Sequence, residues 1–172
     1  MPGPVAADRI TNANIYIDGV GMLGRAEEVQ VVWPKAKMAD HKGLGMAGTA
    51  EFPAGIDKLE AKLKWISLYP EVLSAMSIFA SHQLQVRASK ETYTSQGRTL
   101  EVPIVLLMTA QFKDGGPLNF KQHEQVDFPT ALVVYHCEYF VGGVQYLLYD
   151  VLSNLYVVNN VDQLANFRAN LG

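Results

Sequence analysis

Between Leu59 and Trp65 the side chains alternate without a break: Leu59, Ala61, Leu63 and Trp65 are apolar, and Glu60, Lys62 and Lys64 between them are charged. Successive side chains of a strand point to opposite faces, so this spacing predicts a strand with one packed and one wet face. Leu59, Leu63 and Ile66 would also suit a helix, but the strict alternation favours the strand. The wet face fits either an ordinary solvated sheet surface or the wall of an aqueous channel, since both need one wet and one packed side.

Other runs share this character. Gln83 to Thr94, Thr99 to Lys113 and Thr130 to Asp150 read as strands, and Gly142-Gly143 breaks the last into a hairpin. Asn14-Ile15-Tyr16-Ile17 leads into Asp18-Gly19, a hairpin signal, with the Val-rich stretch Glu28 to Lys37, closed by Pro34, as the expected return strand. Helices are few. Pro70 opens a short amphipathic one carrying Val72, Leu73, Met76 and Phe79, and Val161 to Leu171 reads as a C-terminal helix with Asp162 in its first turn and Arg168 near its end. Residues 1–10 read as an N-terminal arm, and Ala39 to Gly55, with five of its residues Gly or Pro and no periodicity, as a long functional loop.

The length of 172 residues fits one domain, and 49% hydrophobic with 18% charged residues is a globular balance. A net charge of -3 leaves no positive field for tight nucleic-acid binding. No apolar run approaches the roughly 18 residues of a membrane helix, and the first ten residues lack the order of a signal peptide, so a soluble chain folded in the cytoplasm is expected. The single cysteine, Cys137, excludes an internal disulfide and any multi-thiolate metal site.

No motif demands an enzyme. Gly43-Leu44-Gly45-Met46-Ala47-Gly48 fits a dinucleotide pattern, but Phe52-Pro53-Ala54-Gly55 follows instead of a helix, so a flexible glycine loop is expected. In His136-Cys137-Glu138 a strand puts His136 and Glu138 on one side and Cys137 on the other, which prevents a dyad. Cys137 is expected to be a packed small hydrophobe on a face shared with Val133, Tyr135 and Tyr139. His41, His82 and His123 stand singly, without metal-ligand spacing.

Asn14 to Gly19 with Gly24 beyond it, Lys42-Gly43-Leu44-Gly45-Met46, and Val158-Asn159-Asn160-Val161-Asp162-Gln163-Leu164 followed by Arg168 and Leu171-Gly172 stand at the beginning, in the long loop and at the end of the chain. In that order and spacing they resemble the major tail tube proteins of contractile-tailed bacteriophages and R-type pyocins, the family typified by the tube protein of phage P2. The chain departs from the family pattern at His41, where a Tyr is usual, at Asn160, which replaces a Gly, and at Leu107, where relatives often carry Arg.

The resemblance implies a mainly β fold with short helices (β + α): an antiparallel β-barrel or sandwich-like tail tube domain over residues 1–172, with a flanking helix and a C-terminal helix. It implies homohexameric rings stacked into a rigid tube inside a contractile sheath, piercing the host envelope and conducting DNA, with no chemistry and no cofactor. Lys42, Gly43, Leu44, Gly45, Met46 and Phe52 would then make contacts between rings, and Glu60, Lys62 and Lys64 would face the lumen. The implied partners are further copies of the chain, the sheath protein, baseplate and tail terminator proteins, and the tape measure protein and transiting DNA in the lumen. The implied place is the tail tube of a virion assembled in the host cytoplasm. A mildly acidic wall would let DNA slide. The alternative from another class is a monomeric β-barrel holding a small apolar ligand, and oligomeric state separates the two.

Overall fold

The computed structural model describes residues 5–123 and 126–172. The elements are, in chain order, β1 (Ala7–Ile17), β2 (Val20–Gly21), β3 (Ala26–Val31), β4 (Ala36–His41), β5 (Ala50–Ile56), β6 (Leu59–Trp65), α1 (Pro70–Ala75), β7 (Ser81–Thr94), β8 (Gly97–Gly115), β9 (Phe128–Val141), β10 (Val144–Asp150), β11 (Leu155–Val158), β12 (Val161–Asp162) and α2 (Ala165–Leu171). All but β4 and β5 join one antiparallel sheet in the order β12-β11-β10-β9-β8-β7-β1-β2, with a side branch in which β6 pairs with both β9 and β3.

β9 is the spine of this sheet. One of its edges pairs with β8 from Val141 down to Thr130. The other edge is shared: Phe128 to Val134 pair with β6, and His136 to Val141 pair with β10. The fork falls at Tyr135, which has no partner in the β8 register because Thr109 faces His136 and Ala110 faces Val134. This is a β-bulge, and its free carbonyl accepts the Val151 amide at 3.1 Å.

The bulge corrects the face expected for Cys137. Phe128, Thr130, Leu132 and Val134 are buried before it, and Cys137 and Tyr139 after it, so the inward parity changes. Cys137 therefore packs on the side of Val134 and Tyr139, while Val133 and Tyr135 face away. Its own burial, at 0% exposure, is as expected.

The core lies on one side of the sheet. Leu59, Ala61, Leu63 and Trp65 of β6 are 0–3% exposed and meet Leu84, Met108, Phe112, Leu132 and Leu147 from the other strands. Each such Leu-sized side chain contributes about 1.5–3 kcal/mol. Trp65 keeps its polar handle satisfied by donating Nε1–H to Thr130 Oγ1 at 3.1 Å. α1 starts at Pro70, whose missing N–H costs nothing there, and inserts Val72 into the core. Phe79 is beyond the helix end and exposed.

Five further expectations change. The Asp18-Gly19 turn returns only into β2, and the segment expected as its partner strand is β3, which pairs with β6. The expected arm is a strand from Ala7 on, paired with Tyr93 to Lys90 of β7, while residues 1–4 lie outside the described residues. Ala39 to Gly55 is not an irregular loop but most of a β4–β5 ribbon with a tip at residues 42–49. The C-terminal helix begins at Ala165; Asn159 and Asn160 take positive φ of 50° and 62° in a tight turn that gives Val161 and Asp162 to β12. Finally, the ladder does not return on itself among the described residues, so the sheet is open, not a closed barrel. It folds far enough that Tyr139 donates its hydroxyl to Val32 O at 3.2 Å and rests 5.5 Å from the Trp33 ring.

Candidate functional site

The ribbon is the part of the chain furthest from self-sufficiency. Among the described residues β4 and β5 pair with each other and with no other strand. An isolated two-stranded ribbon is at best marginally stable in water. Its register puts Met38 opposite Pro53 and Asp40 opposite Glu51 on one face, and Ala39 opposite Phe52 and His41 opposite Ala50 on the other. The second face is aromatic, with the His41 and Phe52 rings 5.7 Å apart. The first is acidic: Asp40 and Glu51 are like charges directly opposite each other, which costs stability.

Gly43 to Met46 close the tip in a turn, with Met46 N–H donating to Gly43 O at 3.2 Å. Gly45 sits at its third position with φ of 85°, where any side chain would be strained, so the glycine is required by the turn. Leu44 at the second position points wholly into solvent, and Met46 and Phe52 are about half exposed. Large apolar groups grouped on a projecting ribbon mark a surface meant for another chain. The tip residues named from sequence, Lys42, Gly43, Leu44, Gly45 and Met46, thus sit together, with Phe52 down the ribbon on the face of His41.

The second surface is the wet face of β6. Lys58 Nζ and Lys113 Nζ both reach Glu60 Oε1, at 2.8 and 3.1 Å, and their hydrogen bonds, Lys58's first, hold the Glu60 carboxyl below its usual range. Lys64 Nζ lies 2.8 Å from Glu27 and 3.1 Å from Asp127. Lys62 makes no ion pair among the described residues and borders a shallow cleft with Glu28, Gln30 and Pro129. Two of the three residues expected to line a channel are therefore neutralised locally, and Lys62 projects as an uncompensated cation.

Two features escaped the sequence reading. Across the fork, His136 lies between Glu138 Oε1 at 3.0 Å and Asp150 Oδ2 at 3.3 Å, and Gln145 donates to the other Glu138 oxygen at 2.7 Å. The i, i+2 spacing of His136 and Glu138 was a readable signal, but Asp150 arrives through hairpin register. The other is an open cleft of about 650 Å³ between the ribbon base, the β10–β11 connection and α2. It gathers residues from three distant segments, so no local pattern announces it.

The remaining candidates are not brought together. Burial pushes the Cys137 thiol up to about 12, which leaves negligible thiolate at neutral pH. The histidines stay apart: His41 is on the ribbon, His123 in a turn at φ of 61°, and His82 bonds Asp18 at 2.6 Å through Nδ1 while its buried Nε2 has no partner. Among the described residues no three metal-ligating side chains converge.

Three comparisons bear on these surfaces. A family model described as phage tail tube protein FII matches residues 7–172. Over 169 residues the chain is 25% identical to the tail tube protein of Escherichia phage P2, covering 92% of this chain and 94% of that one. Its fold is similar to a solved chain of the sheath-tube complex of an extracellular contractile injection system in the extended state. That match has a TM-score of 0.50 and 8% identity, covering 77% of this chain and 88% of the other, and is a likeness of fold alone.

Proposed function

Since the chain belongs to the phage tail tube protein FII family, a family of structural proteins and not of enzymes, we propose that its copies close into hexameric rings and that the rings stack into the rigid inner tube of a contractile tail. The tube pierces the host envelope and conducts DNA. The observation that carries this reading is the β4–β5 ribbon: two strands that among the described residues pair only with each other, and an apolar tip in solvent, make sense when a second copy supplies the missing burial. Lys42, Gly43, Leu44, Gly45, Met46 and Phe52 make the contacts between rings.

The wet face of β6 lines the lumen, with Glu60 and Lys64 paired off and Lys62 bare. With the other charges paired off, one bare cation per copy gives the wall only a weak hold on DNA phosphates, as a conduit requires. The outer surface meets the contractile sheath, the ends meet baseplate and terminator proteins, and the tape measure protein fills the lumen before DNA does. The alternative, a ligand-holding barrel, needs a hollow interior, whereas Trp65, Phe112, Leu132 and Leu147 fill the core side of the sheet.

Negative-stain electron microscopy of the purified chain at rising concentration tests the proposal. Hexameric rings and tubes are expected; a particle that stays monomeric under all conditions, also with sheath protein present, overturns it.

A further inference from the structure

The cleft at the ribbon base and the ribbon tip match each other in chemistry. Pro53 and Ile56 of β5, Tyr149 and Val151 at the end of β10, and Phe167 of α2 line the cleft, and Asp150 is the only charged residue among them. The tip, residues 42–49, mirrors this composition: Leu44 and Met46 are apolar, and Lys42 is its only charged residue. The cleft thus offers one anion among apolar groups, and the tip one cation among apolar groups.

Asp150 supplies the negative charge of the cleft wall. Its Oδ1 accepts the Leu152 and Ser153 amides at 3.0 and 2.9 Å, and its Oδ2 meets His136. The Ser153 side chain also bonds this carboxylate, so a cation would meet Asp150 through its charge and not through a vacant acceptor site.

We propose that the tip of one copy seats in the cleft of a second copy, with Leu44 and Met46 buried against Tyr149, Val151 and Phe167 and Lys42 paired with Asp150. This rests on the stacked-ring reading and names the receptor for its arm. The tip cannot fill the cleft of its own chain, because strands Ala36–His41 and Ala50–Ile56 hold it roughly 20 Å from its own base. Tip and cleft are different surfaces of the same chain, so the contact is heterologous: each docked copy presents a free tip at one end and an empty cleft at the other. Such a contact propagates as an open stack instead of closing.

The test is cross-linking in a Cys137→Ala background. Leu44→Cys and Val151→Cys together place one thiol on the exposed tip and one on the cleft rim, where Val151 is 42% exposed. Mild oxidation of assembled tubes is expected to give a ladder of disulfide-linked multimers, and either substitution alone is expected to give no ladder. Tubes that form normally but yield no ladder overturn the docking and leave stacking intact; a natural chain that never forms tubes, also with sheath protein present, overturns both. Independently, Phe167→Asp is expected to raise the concentration needed for tubes by about tenfold or more with the subunit still folded by circular dichroism. Lys42→Glu should do the same more weakly and recover in high salt. An unchanged threshold for Phe167→Asp also counts against the proposal.

Discussion

Strand β6 and strand β4 are of similar length and both lie in antiparallel pairs, yet they solve opposite problems. β6 buries every second side chain to 0–3% exposure, whereas all the residues of β4 are exposed. One strand is finished within its own chain. The other carries Met38, Phe52 across the ladder, and Leu44 and Met46 beyond it, in solvent. The difference separates folding from assembly: substitutions in β6 should change whether the subunit exists, and substitutions in the ribbon should change only what it joins.

The sharpest way to break this contrast is Trp65→Ala. Loss of a fully buried indole and its bond to Thr130 is expected to cost about 3–5 kcal/mol in urea unfolding of the isolated subunit. A cost below about 1 kcal/mol would mean that β6 is not the keystone described above. Cys137→Ala, on the same core but removing far less volume, should cost on the order of 1–2 kcal/mol and leave assembly intact. Loss of tube formation at unchanged stability would instead give the thiol a role of its own.

In the ribbon, Leu44→Asp combined with Met46→Asp should leave the unfolding free energy within about 0.5 kcal/mol of the parent while abolishing stacking. Normal tube length and yield in that variant would return the ribbon to ornament. On the wet face of β6, Lys62→Cys in the Cys137→Ala background should change stability least, because Lys62 is exposed and makes no ion pair among the described residues. In assembled tubes the new thiol should react with a small maleimide and resist a polymer-linked one; equal reaction with both would place this face outside the tube.

What was legible from sequence follows the same division. The alternation in Leu59 to Trp65 could be read because burial on one side imposes a period. Ala39 to Gly55 could not, because a ribbon exposed on both faces has no side that selection must keep apolar. Pairing was the next loss: Asp18-Gly19 marks a turn, but nothing local says that β3 will join β6. The inward face of Cys137 depended on the bulge at Tyr135, whose signature is a tertiary one, the Val151 amide on its carbonyl. Of the site, the tip residues were visible through their glycines, while the cleft was not, since Ile56, Tyr149 and Phe167 meet only in the folded chain.

The C-terminal turn gives the smallest test of the comparison, because unlike the ribbon it is fastened by its own ion pair. Asp162 accepts from Arg168 and from the Leu164 amide, and the Arg168 hydrogen bond, first among the causes, holds its carboxyl below the usual range. A depressed folded-state value stabilises above the unfolded value of about 4 and is lost as pH falls through the depressed one. The thermal midpoint of the parent should therefore exceed that of Asp162→Asn at pH 7 and converge with it as the pH falls below the usual carboxylate range. A gap independent of pH would assign the effect to packing.

The fork at Tyr135 sets how the molecule answers to mechanical load. A pull along β9 must shear its ladder with β8, which runs from Val141 to Thr130 with breaks of register at Tyr135 and between Phe112 and Asp114, and within each stretch the hydrogen bonds lie across the pull and share it. A pull that peels β10 or β6 from the opposite edge meets its bonds one after another, and the bulge is where either tear begins or stops. The chain is thus stiff in one direction and yielding in another, and a crack opened in one branch need not run into the other.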